Sequence, residues 1–100
     1  MADNVRAMVR DSLGALIDGD ADKARAVCAA DDVVDDQKRE MVRQVRAAMR
    51  EHPDRADALV KLLDVPRHLE RIADLATNIA EDVIYLVEGV IARHRRRIEE

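Results

Sequence analysis

The chain has 100 residues, with 17 Lys and Arg against 21 Asp and Glu and a formal net charge of −4. This length allows one domain with one modest core, and the charge balance excludes an overall field that would draw the molecule to nucleic acid or to an anionic membrane. Hydrophobic residues make up 48% of the sequence, yet Tyr85 is the only aromatic residue and there are only three Gly and two Pro. A core of aliphatic residues with so little turn material predicts an all-α fold.

Cysteine content and hydropathy indicate the cellular compartment in which the protein is expected. The single cysteine, Cys28, cannot form an internal disulfide. The sequence displays no signal peptide and no apolar run of the roughly 20 residues that span a bilayer. We therefore expect a cytoplasmic protein that does not insert into a membrane.

The first predicted helix runs from about Ala2 to Ile17, because its apolar residues recur at the three- and four-residue spacing of one helix face. Gly19 is suited to end this helix in the left-handed conformation. Asp20 is suited to cap the next helix by accepting hydrogen bonds from its first free N–H groups. The apolar residues of the first helix are Val5, Met8, Val9, Leu13, Leu16 and Ile17.

Two further helices follow. The second is predicted over 21–51 and ends before Pro53, which cannot continue it. The third begins near Asp54, a good N-cap residue. From residue 69 to residue 90 its apolar positions step by three and four residues, which is the most regular helical pattern in the chain.

Pro66 lies inside the third segment, so we expect a kink or short break near Leu63 to Val65. At about 1.5 Å per residue, the second and third helices are roughly 45–55 Å long and the first about half that. These lengths predict an antiparallel three-helix bundle over 1–94, with one short and two long helices, and a charged tail over 95–100. The short helix leaves an apolar flank uncovered, which indicates a second copy of the chain or a partner protein.

Acidic pairs recur on the two long helices. Asp31 and Asp35 are four residues apart, as are Glu70 and Asp74. Residues at this spacing share a face, and two carboxylates there repel each other unless a cation lies between them. If the helices pack side by side, the four carboxylates form a seam suited to Mg²⁺, Mn²⁺, Fe³⁺ or Zn²⁺. The residues alone favour the alternative of solvated charge with Arg39, Arg67 or Arg71 as counter-ions.

Two stretches resemble a known family. Residues 69–81 read LERIADLATNIAE, and residues 31–35 read DDVVD. The first closely resembles the signature of the PhoU family of phosphate-uptake regulators, L-E-R-I-x-D-x-x-x-N-I-A-E, and the second is similar to the family's D-x-x-V-D on the preceding helix. Residues 16–24 are similar to its first interhelical turn, and the likeness extends to His94.

The resemblance implies a regulatory adaptor that binds metal clusters through E/D-x-x-x-D motifs. Its partners would be the ATP-binding subunit of a phosphate ABC transporter and a sensor histidine kinase, with no nucleic acid. Family members usually contain two three-helix repeats, whereas this chain holds one, most like the C-terminal repeat. It would therefore either pair with itself as a homodimer or be a fragment of a two-repeat protein. The metal candidates carried over are Asp31, Asp35, Glu70 and Asp74, with Asn78 and Glu81 as weaker additions.

Catalytic residues are not predicted. Ser12 is the only serine and has no recognisable histidine partner, and there is no glycine-rich phosphate loop. A carboxylate-bridged dimetal enzyme would need Glu-x-x-His pairs, which this sequence lacks. The alternative to a metal-binding regulator is a helical assembly module whose acidic seam is solvated surface.

Overall fold

The computed structural model describes the backbone of residues 1–99 and the side chains of residues 1–89. The chain is helical almost throughout, and residues 1–99 contain no strand, so the all-α prediction is confirmed. The elements are α1 (Ala2–Asp18), α2 (Ala21–Glu51), a 3₁₀ turn (Pro53–Arg55), α3 (Ala56–Lys61) and α4 (Asp64–Glu99).

The turn between α1 and α2 forms as its residues predict. Gly19 has φ 62° and ψ 38°, the left-handed conformation that glycine adopts without steric cost. The Asp20 carboxylate accepts a hydrogen bond of 3.0 Å from the Lys23 backbone N–H. One free donor at the start of α2 is thereby satisfied, and the chain reverses within two residues.

The two prolines divide the rest of the chain. Pro53 follows the end of α2, and the predicted break before Pro66 is present as a turn at residues 62–63 between α3 and α4. Pro66 lies in the first turn of α4, where its missing N–H costs no intrahelical hydrogen bond. The predicted N-cap at Asp54 is wrong, because this residue lies within the 3₁₀ turn and its side chain caps no helix.

Contacts between side chains fix how α1 and α2 run. Near the start of α1, Asn4 Nδ2 donates to Gln37 Oε1 at 3.1 Å. Near its end, Gly14 lies so close to Lys23 that an added Cβ would be 3.3 Å from the Lys23 Nζ. Since Asn4 pairs with the later residue of α2 and Gly14 with the earlier one, the two helices are antiparallel.

The long helices α2 and α4 are also antiparallel. Arg25 forms an ion pair with Glu88, and thirteen residues further along α2 Lys38 pairs with Glu70. The bundle therefore runs up, down and up, as predicted, with α3 as a short additional helix. Its longest dimension is 72 Å.

The core is made of small side chains. Alanine and valine dominate. Ser12 is also buried, and its hydroxyl is satisfied because it donates to the Val9 carbonyl oxygen at 2.9 Å. Small residues let helices approach closely, so larger aliphatic side chains are displaced to the flanks. The apolar stripes that the spacing predicts are therefore only partly buried. Their exposed members are Leu13, Leu16 and Ile17 in the first helix and Ile72 and Leu86 in the pattern over residues 69–90. The buried apolar residues are Val5, Met8, Ala15, Ala24, Val27, Val34, Ala73, Ala76, Ala80 and Val83.

Several large apolar side chains of α1 and α4 are exposed. On α1, Leu13 and Leu16 are about half exposed and Ile17 is 82% exposed. On α4, Ile72 and Leu75 are three residues apart on one face, and Leu75 is 62% exposed. Since α1 packs against α4, both helices of this pair carry apolar side chains that nothing in the described chain covers.

None of the helices in the described part of the chain combines the length and apolar content needed to cross a bilayer. The predicted domain boundary at residue 94 falls within α4. The side chains of the predicted tail, 95–100, lie outside those that the structure describes, so that boundary stays a prediction.

Candidate metal centre

Antiparallel packing of α2 and α4 brings together four carboxylates, which we call the acidic seam: Asp31, Asp35, Glu70 and Asp74. The evidence is electrostatic. The pKa of Asp31 is raised, first by burial, then by the negative charges of Asp35 and Asp74, and further by those of Asp32 and Glu70. Because charges of α4 act on a residue of α2, Glu70 and Asp74 lie on the part of α4 that packs near Asp31. The structure thus places the predicted pairs in one neighbourhood.

Asp31 carries the clearest sign of an unmet interaction. Its Oδ1 is buried and has no hydrogen-bond partner among the described residues. A carboxylate oxygen withdrawn from water without a partner destabilises the fold, and neighbouring like charges add to that cost. A bound cation would relieve both effects at once.

Glu70 has a partner of its own. The Lys38 Nζ lies 2.8 Å from Glu70 Oε1, and both side chains are about 30% exposed. The ammonium group therefore supplies one positive charge at one end of the acidic seam. A metal ion would compete with Lys38 for the Glu70 carboxylate.

The two weaker candidates occupy different positions. Glu81 is exposed and lies near Cys28. The pKa of the Cys28 thiol indicates this proximity, since it is raised first by burial, then by the charge of Glu81 and then by that of Asp31. Asn78 is exposed and makes no side-chain hydrogen bond within the described residues. Glu81 thus extends the negative potential toward Cys28.

Within the residues that the structure describes, no three His, Cys, Asp or Glu side chains already have a metal-binding arrangement. The fit of a cation to this chain rests on the Asp31 oxygen and on the chemistry of the donors. Carboxylate oxygens suit hard and borderline cations, which often keep several water ligands and so need few protein groups. Metal binding by the six predicted residues stays a prediction.

Sequence reasoning missed Lys38 as the counter-ion and Cys28 as a neighbour of the acidic seam. The signal was present in their spacing. Cys28, Asp31, Asp35 and Lys38 step by three, four and three residues, which is the period of a helix face that packs against another helix. A lysine on that face, near the end of an acidic series, is placed to pair with a carboxylate of the facing helix.

Comparison with known proteins addresses the family directly. The model of the PhoU domain matches residues 1–83. The chain belongs to the PhoU domain family. The match includes both acidic pairs of the seam, so the resemblance of residues 31–35 and 69–81 to the family signature is confirmed.

Curated relatives of this PhoU domain are longer proteins. This chain is 37% identical over 89 residues to a phosphate-specific transport system accessory protein PhoU homolog of Clostridium acetobutylicum. The alignment covers 89% of this chain and 41% of that protein. The corresponding protein of Pseudomonas putida is 40% identical over 94 residues, covering 94% and 37%. The one from Aquifex aeolicus is 39% identical over 95 residues, covering 95% and 43%. The chain thus spans about two fifths of the length of these relatives.

Proposed function

We propose that this PhoU domain is a regulatory adaptor of phosphate uptake and phosphate signalling, which binds metal at the acidic seam and acts by protein contact. The support is membership of the PhoU domain family and the likeness to proteins named as accessory proteins of a phosphate-specific transport system. The proposed partners are the ATP-binding subunit of a phosphate ABC transporter and a sensor histidine kinase. The domain would bind both of them in the cytoplasm. No catalytic role is proposed.

One observation carries the metal part of this proposal: the buried Asp31 Oδ1 without a hydrogen-bond partner. Four carboxylates surround or adjoin Asp31, two of them from the other helix, and all disfavour its ionised form. On a fully exposed acidic surface, water would hydrate every carboxylate oxygen, and none would be buried without a partner.

A bound cation would supply positive charge that offsets this repulsion and would tie α2 to α4. Asp31 and Asp35 would hold it from α2, and Glu70 and Asp74 from α4. For this, the Glu70 carboxylate would have to exchange its contact with Lys38 for the ion. The ammonium group of Lys38 would then be released toward solvent at the end of the acidic seam.

Metal analysis of protein purified without chelator tests the proposal. Wild-type chain is expected to retain Fe, Zn or Mn, or to bind added Mn²⁺ or Mg²⁺. The double variant Asp31→Asn with Glu70→Gln is expected to lose at least tenfold in affinity, because it removes one ligand from each helix. The matched control is Asp22→Asn with Glu88→Gln, which changes the same charge on the same helices at two exposed residues beside Arg25.

Equal metal content in the two double variants and the wild type would refute metal binding at the acidic seam. The domain would then be a helical assembly module without metal, and the Lys38–Glu70 ion pair would be its stable state. That alternative keeps the fold and the family and changes only the role of the carboxylates.

The exposed apolar side chains of α1 and α4 support self-association as a homodimer, which would supply the second three-helix repeat that the family resemblance implies. Light scattering tests this directly. At tens of micromolar the wild type is expected at twice the 11.3 kDa of one chain, and Leu75→Glu at the monomer mass. Leu62→Glu, in the turn between α3 and α4, is the control. A monomeric wild type would favour the alternative that this chain is a fragment of a two-repeat protein.

The regulatory part needs a cellular measurement. Expression of the chain in a bacterium that lacks its own PhoU protein is expected to reduce phosphate uptake, and the Asp31→Asn with Glu70→Gln variant to do so less. Uptake that is unchanged by the wild-type chain would contradict an adaptor role for this domain alone.

A further inference from the structure

Beside the acidic seam, the same helices border a groove of opposite charge with a volume of about 770 Å³. Its edge is shared with the seam, since Asp35 and Glu70 line both. All its cations come from thirteen consecutive positions of α2, in a chain whose net charge is −4. We call this surface the basic groove, and its cations are Lys38, Arg39, Arg43, Arg46 and Arg50.

The arginines of the basic groove differ in their partners. Arg39 pairs with Asp36 at 2.8 Å, and Arg43 pairs with Glu40. Arg46 and Arg50, one helical turn apart, have no carboxylate partner among the described side chains. Arg50 lies in the last turn of α2, where the helix dipole stabilises a positive charge. This effect explains the position of Arg50 but not the positions of the other four cations.

Apolar side chains narrow the choice of ligand. Val42 and Ala47 line the basic groove between the arginines. Arg46 and Arg50 also border a second groove of about 320 Å³, whose other walls are Met49, Pro53 and Ala56. An inorganic polyanion gains nothing from such walls, because it has no apolar surface to bury. A ligand with an apolar stripe flanked by negative charges gains from both.

We propose that the basic groove binds an acidic amphipathic helix of a partner protein. The arginines from Arg39 to Arg50 cover about 16 Å of α2, equal to three turns of a helix lying alongside. Apolar side chains at one edge of that helix would contact Val42 and Ala47, and its Asp and Glu residues would pair with Arg46 and Arg50. The inference rests on the proposed adaptor role only in that the domain acts through contact with another protein.

Fluorescence anisotropy with a labelled helical peptide tests this proposal on the full chain. The probe is about four turns long, with leucines at i, i+3, i+4 and i+7 and glutamates on both flanks. One comparison peptide has lysines in place of the glutamates, and another has serines in place of the leucines. We expect the acidic leucine peptide to bind at least tenfold more tightly than either, with an affinity that falls as salt is added.

Variants locate the binding surface. Arg46→Glu with Arg50→Glu is expected to reduce affinity for the probe at least tenfold. Its control, Arg6→Glu with Arg10→Glu, changes two exposed arginines at the same spacing on α1 and is expected to change affinity less than twofold. Val42→Ser is expected to reduce affinity about threefold without changing the salt dependence. Circular dichroism verifies that each variant keeps the helical content of the wild type.

Several results would overturn the proposal. The serine peptide binding as tightly as the leucine peptide would show that only charge matters, and sodium triphosphate displacing the probe at similar concentration would indicate a polyanion site. Equal losses in the α1 control would show nonspecific attraction. Metal content is measured on the same wild-type sample. A wild-type chain that binds metal but not the acidic leucine peptide refutes this inference alone. A wild-type chain that binds the peptide but no metal refutes the metal part of the proposed function alone.

Discussion

The acidic seam and the basic groove occupy successive turns of the same pair of helices, yet their charges are distributed and paired differently. In the acidic seam, negative charges of α2 and α4 together raise the pKa of Asp31, and one buried oxygen of this residue has no hydrogen-bond partner among the described residues. In the basic groove, the cations stand on α2 alone, and two of them pair with carboxylates of their own helix. The Lys38–Glu70 ion pair joins the two regions.

The charges of the two regions therefore affect different properties of the protein. Repulsion between facing helices weakens the bundle itself, so the acidic seam opposes folding until a cation binds. A row of exposed cations on one helix is hydrated and costs the fold little. The acidic seam should therefore govern stability, and the basic groove should govern association.

The largest expected effect is stabilisation by metal. Mn²⁺ at a hundred times its dissociation constant should stabilise the wild type by about 2.7 kcal/mol, or about 10–20 °C in Tm for a domain of this size. Asp31→Asn with Glu70→Gln should respond little, and Arg46→Glu with Arg50→Glu should respond as the wild type does. Thermal melts with Mn²⁺ and with chelator measure this. Equal responses of both double variants would erase the distinction between the two regions.

Second in size is the effect of Asp31→Asn on the metal-free protein. The amide keeps the shape and removes a partly buried charge near Asp35, Asp32, Glu70 and Asp74, so we expect a gain of about 1 kcal/mol at pH 7. Because the folded-state pKa of Asp31 is raised, the folded wild type holds a proton more tightly than the unfolded chain. The wild type should therefore regain stability relative to the variant as pH falls toward 4. Urea titrations from pH 7 to pH 4 measure the difference, and a constant or growing gap would contradict the assignment.

A smaller effect is expected where the two regions meet. Lys38→Met removes the cation that competes for Glu70, so affinity for Mn²⁺ should rise about threefold while the metal-free protein loses roughly 0.5 kcal/mol. Arg39→Met is the control, because its guanidinium group pairs with Asp36 outside the acidic seam. Calorimetric titration of both variants gives the comparison. Unchanged or weaker affinity in Lys38→Met would show that Glu70 does not take part in binding.

The smallest effect is expected inside the basic groove. Arg46→Gln removes an exposed cation without a carboxylate partner, so the free energy of unfolding should change by less than about 0.5 kcal/mol. Metal affinity should not change. Urea denaturation measures the first quantity and calorimetry the second. A loss of several kcal/mol would mean that Arg46 supports the fold and is not held available for a ligand.

Local rules predicted much of the fold. Gly19 and Asp20 form the turn that their conformational and capping preferences require, and Pro66 breaks the third segment where its ring would crowd a helix. Asp54 shows the limit of such rules. It has the right side chain for an N-cap, but Pro53 begins a 3₁₀ turn there and the next helix starts after Arg55.

Which face of each helix is buried was harder to predict. Leu86 fits the three- and four-residue spacing, yet Ala80 and Val83 lie in the core while Leu86 is exposed. Spacing identifies a stripe but not its centre, and a stripe that contains small residues packs most closely along them. The acidic seam was predictable from two i, i+4 pairs. The spacing places Lys38 on the same helix face, but Glu70 could not be named as its partner, because their pairing depends on the register of the two helices.

The most direct test of the shared acidic seam is paramagnetic broadening in an NMR spectrum of the full chain with substoichiometric Mn²⁺. The account predicts that amide signals broaden first around residues 31–35 of α2 and around residues 70–74 of α4, and that Asp31→Asn with Glu70→Gln abolishes both effects together. Broadening confined to one helix, or spread evenly over all acidic surface, would contradict a metal site held jointly by α2 and α4.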